Sequence, residues 1–232
     1  MKNQLIYNLV DKFLMNDFSK VISEKVNAYN KENTTIFDVG CFQGNFSRNL
    51  KKQLNNYAQF YLFDPNPNLK LPDFDINQLA FSDSAGKQDY NLNTFFPSSG
   101  SSLNKITKED KLWNFTRKLV TGSVKESFIT FPVITNTIDD FCIEKNIKEI
   151  TVLKIDVEGS EMKVLNGAKE ILKNTKIIQV EILDTKKKYE EKYLEVKNLL
   201  ENQYNFKIIE EKNIWSLGTL SNMRAVDALF IK

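Results

Sequence analysis

The chain has 232 residues, enough for one domain with a full core, and 32 basic residues against 30 acidic ones give a net charge of +2. That balance offers no electrostatic grip on duplex nucleic acid or on an anionic membrane. Histidine is absent altogether, which excludes a Ser-His-Asp hydrolase, a zinc hydrolase and a two-histidine iron oxygenase.

In chain order, residues 1–30 read as an N-terminal helical extension, with Leu9, Phe13, Val21, Ile22 and Val26 at helical spacing. Lys2, Asp11 and Lys12 interrupt its apolar residues, so it does not read as a signal peptide. No apolar run reaches the ~20 residues of a membrane span. Residues 34–39 form a short β-rich run that ends at Gly40, and residues 43–57 predict a helix. A second strand, residues 59–63, closes in Asp64-Pro65-Asn66-Pro67, and residues 75–81 predict a third. Residues 87–136 break this rhythm, with extended pieces at 88–93 and 128–133. Helices are then expected at 137–145, 161–173 and 189–203, and strands at 151–156, 176–183, 206–210 and 228–231. Strands and helices in alternation imply an α/β domain, a mostly parallel sheet covered on both faces. The two cysteines, Cys41 and Cys142, stand far apart and in no metal-ligand pattern. They fit a reducing compartment, and the expected location is cytoplasmic.

The turn after the first strand reads Asp38-Val39-Gly40-Cys41-Phe42-Gln43-Gly44. Glycines there let the backbone turn sharply beside a ligand, but the spacing is not that of the dinucleotide fingerprint. Asp38 would repel a pyrophosphate and suits a ligand with an ammonium and a sulfonium. Asp64, at the end of the second strand, stands where an acid accepts hydrogen bonds from ribose hydroxyls. Together they point to S-adenosylmethionine. The plainer alternative is that Gly40 and Gly44 merely shape a tight turn and Asp38 caps the next helix.

Near the middle, Leu153-Lys154-Ile155-Asp156-Val157-Glu158-Gly159-Ser160-Glu161 runs from an apolar strand into acids and a turn. Alternation along a strand puts Lys154 and Asp156 on one face, and Gln179 and Glu181 alternate likewise on the following strand. If these strands are neighbours, Asp156 and Glu181 meet at the rim. Without histidine, the candidate general bases are Asp156, Glu158 and Glu181, with Asp156 favoured by its place at the strand end. A buried Lys154 is expected to pair with Asp156 or Asp38. Ser160 is expected to cap the next helix, and Glu161 to sit in its first turn. A second option is a divalent ion, Mg²⁺, held by Asp156 and Glu181 with Asp184 as a third ligand.

The runs Phe37-Asp38-Val39-Gly40, Phe63-Asp64-Pro65-Asn66-Pro67, Ala80-Phe81-Ser82-Asp83 and Thr137-Ile138-Asp139-Asp140-Phe141 occur in that order. With residues 153–161 and Met162-Lys163-Val164-Leu165-Asn166-Gly167-Ala168, they resemble the FkbM-type methyltransferase family over residues 34–183. The resemblance implies a Rossmann-like, seven-stranded class I methyltransferase fold using S-adenosylmethionine. It also implies O-methylation, often of a sugar or polyketide hydroxyl. By motif, Asp38, Gly40 and Gly44, with Cys41 between them, would line the methionine part of the cofactor. Asp64, followed by Pro65, would hold the ribose, Ala80 and Phe81 would flank the adenine, and Asp156 would face the sulfonium and the acceptor. The chain departs from the pattern at Cys41-Phe42-Gln43, where another glycine is common, and at Phe81, where a smaller aliphatic is common.

Residues 93–127 are expected to form a substrate-binding insert, with Phe95, Phe96, Trp113 and Phe115 stacking on sugar rings and Arg117 binding an acid group. Residues 213–227, with Trp215 and Arg224, would form the opposite wall. The alternative is that these aromatics pack a small subdomain core. The expected function is S-adenosylmethionine-dependent O-methyl transfer to a carbohydrate or carbohydrate-like metabolite. The alternatives are a protein, lipid or nucleic-acid acceptor, or a non-catalytic nucleoside-binding module of the same fold. The sequence leaves oligomerisation open.

Overall fold

The computed structural model describes residues 18–29, 33–93, 101–103, 128–213 and 223–232. Helix α1 is Ser19–Tyr29, β1 is Thr34–Val39, α2 is Asn45–Lys51 and β2 is Ala58–Phe63. Two short strands follow, β3 at Ile76–Asn77 and β4 at Ala80–Phe81, then β5 at Gly86–Asn93 and β6 at Phe128–Asn136. The second half holds α3 (Ile138–Glu144), β7 (Ile150–Ile155), α4 (Glu161–Asn166) and β8 (Thr175–Thr185). It ends with α5 (Lys186–Asn198), β9 (Lys207–Asn213) and β10 (Met223–Ile231).

Seven strands form the main sheet in the order β3-β2-β1-β7-β8-β10-β9. Only β10 runs against its neighbours β8 and β9. This is the seven-stranded, mostly parallel sheet that the family resemblance implies, with one antiparallel strand. β7 lies at its centre and is buried along its whole length, as a strand covered on both faces must be. Chain order runs outward from β1 to β2 and β3 on one side, and from β7 to β8 on the other. The carboxyl ends of β1 and β7 therefore flank the switch point, where open α/β sheets bind ligands.

Two apolar layers cover the sheet. On one face Phe37, Leu153 and Ile178 pack under α3, α4 and α5, with Phe63, Phe81 and Phe141 among them. Phe141 meets Phe63 edge-on at 5.0 Å, a favoured aromatic geometry. On the other face Ile36, Val152 and Ile177 pack against Phe18, Ile22 and Val26 of α1 and Phe46 and Leu50 of α2. Strand alternation puts Asp38, Lys154 and Gln179 on this second face.

Several expected boundaries are corrected. The third strand expected at 75–81 is two strands in different sheets: β3 extends the main sheet, while β4 joins β6 and β5 in a three-stranded one. Gln78 and Leu79 between them carry the chain from one sheet to the other. The helix expected at 161–173 stops at Gly167, where a Cβ would lie 2.1 Å from the Ser82 carbonyl oxygen. The helix expected at 43–57 ends at Lys51. β10 starts at Met223 rather than at Ala228, so the wall expected at 213–227 is partly strand. Of the N-terminal extension, only Phe18–Tyr29 is described. Phe95, Phe96, Trp113, Phe115, Arg117 and Trp215 lie outside the described residues.

Candidate active site

The turn after β1 is bound to the end of β2. The amides of Gly40 and Cys41 both donate to the Phe63 carbonyl, at 3.0 and 3.1 Å. Asp64 follows immediately, and its carboxylate accepts the Phe42 amide at 3.2 Å and the Asn66 amide at 2.9 Å. Asp64 therefore shapes the turn itself, and each of its oxygens keeps a lone pair for a further donor. Burial pushes its pKa up to about 6, against the two backbone amides that hold it down.

The glycines meet protein rather than open space. A Cβ on Gly40, at φ +78°, would lie 1.8 Å from the Asp156 carbonyl oxygen. On Gly44, at φ +71°, it would lie 2.8 Å from a Leu71 methyl. Cys41 is buried, and burial pushes its thiol far up, so it is not a nucleophile here. Phe81 is 1% exposed and its ring packs on Phe63 at 4.6 Å, so its side chain serves the core. Ala80 beside it is buried, and Pro65 is half-buried at the rim.

Parallel pairing of β1, β7 and β8 sets Asp38, Lys154 and Gln179 in one row. The Lys154 ammonium lies 3.0 Å from Asp156, 3.5 Å from Asp38 and 3.4 Å from the Gly40 carbonyl. Both expected partners are thus engaged at once. Asp38 is fully buried, and the Ser47 hydroxyl donates to it at 2.7 Å. Asp38 does not cap α2, whose N-cap is Gly44.

Two residues further along the strands lies a row of acids. Carboxylate oxygens of Asp156, Glu158 and Glu181 all lie within 4.8 Å of one another. Burial raises the Asp156 pKa, but Lys154 and the bond from Glu181 outweigh it and hold this carboxyl below the usual range. Burial and the charges of Asp156 and Glu158 push Glu181 well above it. Two carboxyl groups this close share one proton. Between the two, the proton favours Glu181 over Asp156.

Sequence reasoning missed Asp227, which faces Glu181 across the β8–β10 pair and is buried. Its only signal was an acid at the head of an apolar run. Asp184 drops out of the acid group. It falls on the opposite strand face from Glu181, and its carboxylate accepts the Thr185 amide. Arg224 also lies on that other face, opposite Asp184, paired with Glu190 and over the Tyr189 ring. Ser160 does not cap α4 through its side chain. Instead Glu161 accepts the Gly159 amide at 2.6 Å. From the insert, the Ser102 hydroxyl reaches the Glu158 carbonyl at 2.8 Å. A cavity of about 310 Å³ opens beside this turn, between α4 and α5, and Ser160, Met162, Asp184 and Lys188 line it.

Asp38, Asp64, Asp156, Glu158 and Glu181 thus converge on the switch point around the ammonium of Lys154. The groups offered are acceptors and negative charges, which fit an ammonium, a sulfonium and ribose hydroxyls.

The methyltransferase FkbM domain matches residues 38–208. The 2-O-methyltransferase NoeI of Sinorhizobium fredii is 28% identical over 186 residues, 71% of this chain and 70% of that protein. Among solved structures, TYW2 of M. jannaschii in complex with AdoMet is 14% identical with a TM-score of 0.39, covering 94% of this chain and 78% of that one. Trm5b of Pyrococcus abyssi is 14% identical with a TM-score of 0.36, over 94% of this chain and 50% of that one.

Proposed function

The chain belongs to the FkbM methyltransferase family, and from that premise we propose that it methylates a hydroxyl of a carbohydrate or carbohydrate-like metabolite, with Asp156 as the base. It is an S-adenosylmethionine-dependent methyltransferase. S-adenosylmethionine, when bound, supplies an electrophilic methyl group on a sulfonium. Asp38, Asp64 and the Gly40–Gly44 turn would hold it. The observation that carries the reading is the cluster of Asp156, Glu158 and Glu181 within 4.8 Å at the switch point, with the Lys154 ammonium 3.0 Å from Asp156.

Asp156 has the work of accepting the acceptor's proton as the new O–C bond forms. Lys154 keeps it charged and pointed at the rim. Glu181 and Glu158 offer hydrogen bonds that orient the acceptor, and such positioning supplies much of the rate gain. The similarity to a 2-O-methyltransferase supports oxygen as the atom methylated. Ser102 brings the insert against the Glu158 turn, which supports a role for the insert in binding the acceptor.

A second reading adds Mg²⁺. Three carboxylates within 4.8 Å offer the hard oxygen ligands this ion takes. Lys154 already neutralises Asp156 at 3.0 Å, which favours the metal-free reading.

Calorimetry with S-adenosylmethionine and S-adenosylhomocysteine tests the cofactor site, and failure of both to bind would sink it. Labelled-methyl transfer onto a panel of sugar nucleotides and glycans, with and without EDTA, tests acceptor and metal. Transfer onto protein, lipid or nucleic acid alone would overturn the carbohydrate reading.

A further inference from the structure

Two charged side chains stand close to the acids without joining them. Glu161 opens α4 and is fully buried. Lys192, on α5, is 12% exposed and ion-paired to it at 2.8 Å. A pair this deep loses much of its attraction to desolvation, so it is weak as a source of stability. What it touches gives it a different use.

Besides its ion pair with Glu161, the Lys192 ammonium donates to two carbonyls, that of Gly159 at 2.7 Å and that of Leu183 at 3.0 Å. Glu161 in turn accepts the Gly159 amide at 2.6 Å. Gly159 is therefore held at both its N–H and its C=O. The residue before it, Glu158, sits at φ +52°, a left-handed conformation that a glutamate adopts only at some cost. On the neighbouring strand, Leu183 lies two residues beyond Glu181. One ammonium thus ties the turn after β7 to the end of β8, close behind all three acids.

We propose that Glu161 and Lys192 are positioning residues: their ion pair pins the Glu158–Gly159 turn to the end of β8 and so sets the spacing of Asp156, Glu158 and Glu181. The proposal rests on the reading of those acids as the acid–base machinery. The pinning itself can be measured without turnover, so the two can fail separately.

The test is carbon-13 NMR of the full chain with labelled Asp and Glu carboxyls, at one neutral pH, in Lys192→Met and Lys188→Met. Lys188 is exposed, one turn earlier on α5, so its variant removes an equal charge and leaves the tether intact. Lys192→Met is expected to shift the Asp156 and Glu181 resonances from their wild-type positions, and Lys188→Met to leave them in place. Unmoved resonances in folded Lys192→Met, or an equal shift in Lys188→Met, overturn the proposal. If Lys192→Met does not fold, Glu161→Gln takes its place under the same criteria. That change breaks the ion pair and keeps an acceptor for the Gly159 amide. Calorimetry with S-adenosylhomocysteine on the wild-type sample separates the readings. Loss of binding there counts against the cofactor site and not against the tether.

Discussion

Gly40 stands directly against the main chain of Asp156, with room for a Cβ only 1.8 Å from that residue's carbonyl oxygen. The Asp156 amide donates to the Val39 carbonyl at 3.0 Å from the same side. The turn that would hold the cofactor and the acid that would act beside it are thus fixed to each other through backbone. Gly40→Ala must move one of them. Its φ of +78° adds about 1–3 kcal/mol of backbone strain. We expect a lower urea midpoint and weakened S-adenosylhomocysteine binding. A variant that matches wild type in both would show that the contact is slack.

Asp156→Asn keeps the shape of the side chain and removes the base. Turnover should fall by about 10²- to 10⁴-fold, the usual worth of a positioned base, while S-adenosylhomocysteine affinity changes little. Single-turnover methyl transfer and calorimetry on the same sample read both. Retained turnover would remove Asp156 from the role.

Lys154→Met leaves two acids without their cation, one of them the fully buried Asp38. Removing one partner of a buried charged network costs about 3–5 kcal/mol. Urea denaturation should show that loss. A second substitution, Asp38→Asn, should recover part of it.

Asp64 gives a pH dependence. Its folded pKa, pushed up by burial to about 6, lies above the ordinary aspartate value of 3.8. The native state therefore keeps this proton longer than the unfolded chain, and stability from this group falls as pH rises from 3.8 to about 6. Cofactor binding should run the other way, because ribose hydroxyls donate best to the ionised carboxylate. At one unit below that pKa, S-adenosylhomocysteine should bind about tenfold more weakly than on the plateau above it. Calorimetry across this range checks it, and Asp64→Asn should flatten the profile.

Much of this site was legible in the sequence because strand alternation is a strict rule. Lys154 and Asp156 could be put on one face from spacing alone, and Glu181 beside them once β8 was taken as the neighbour of β7. The pairing of Lys154 with both Asp38 and Asp156 follows from the cost of burying a lone ammonium. The rest is decided by long-range packing. Nothing near Phe81 says that its ring turns into the core to meet Phe63. Nothing near Gly167 says that the Ser82 backbone will press on it and end α4. Asp227 joins the acids only because β10 runs antiparallel into register with Glu181, a pairing that local sequence does not encode.

The β1–β7 pairing also orders events in time. Lys154 and Gly40, in contact through the ammonium, are 114 residues apart in the chain. During synthesis the first glycine turn emerges long before the cation that neutralises Asp38 exists, and β2 alone cannot supply one. This charge pairing cannot close until β7 is made and inserts beside β1. Contacts this distant in sequence form slowly. The slowest step in folding this chain should thus be the one that completes its charged centre.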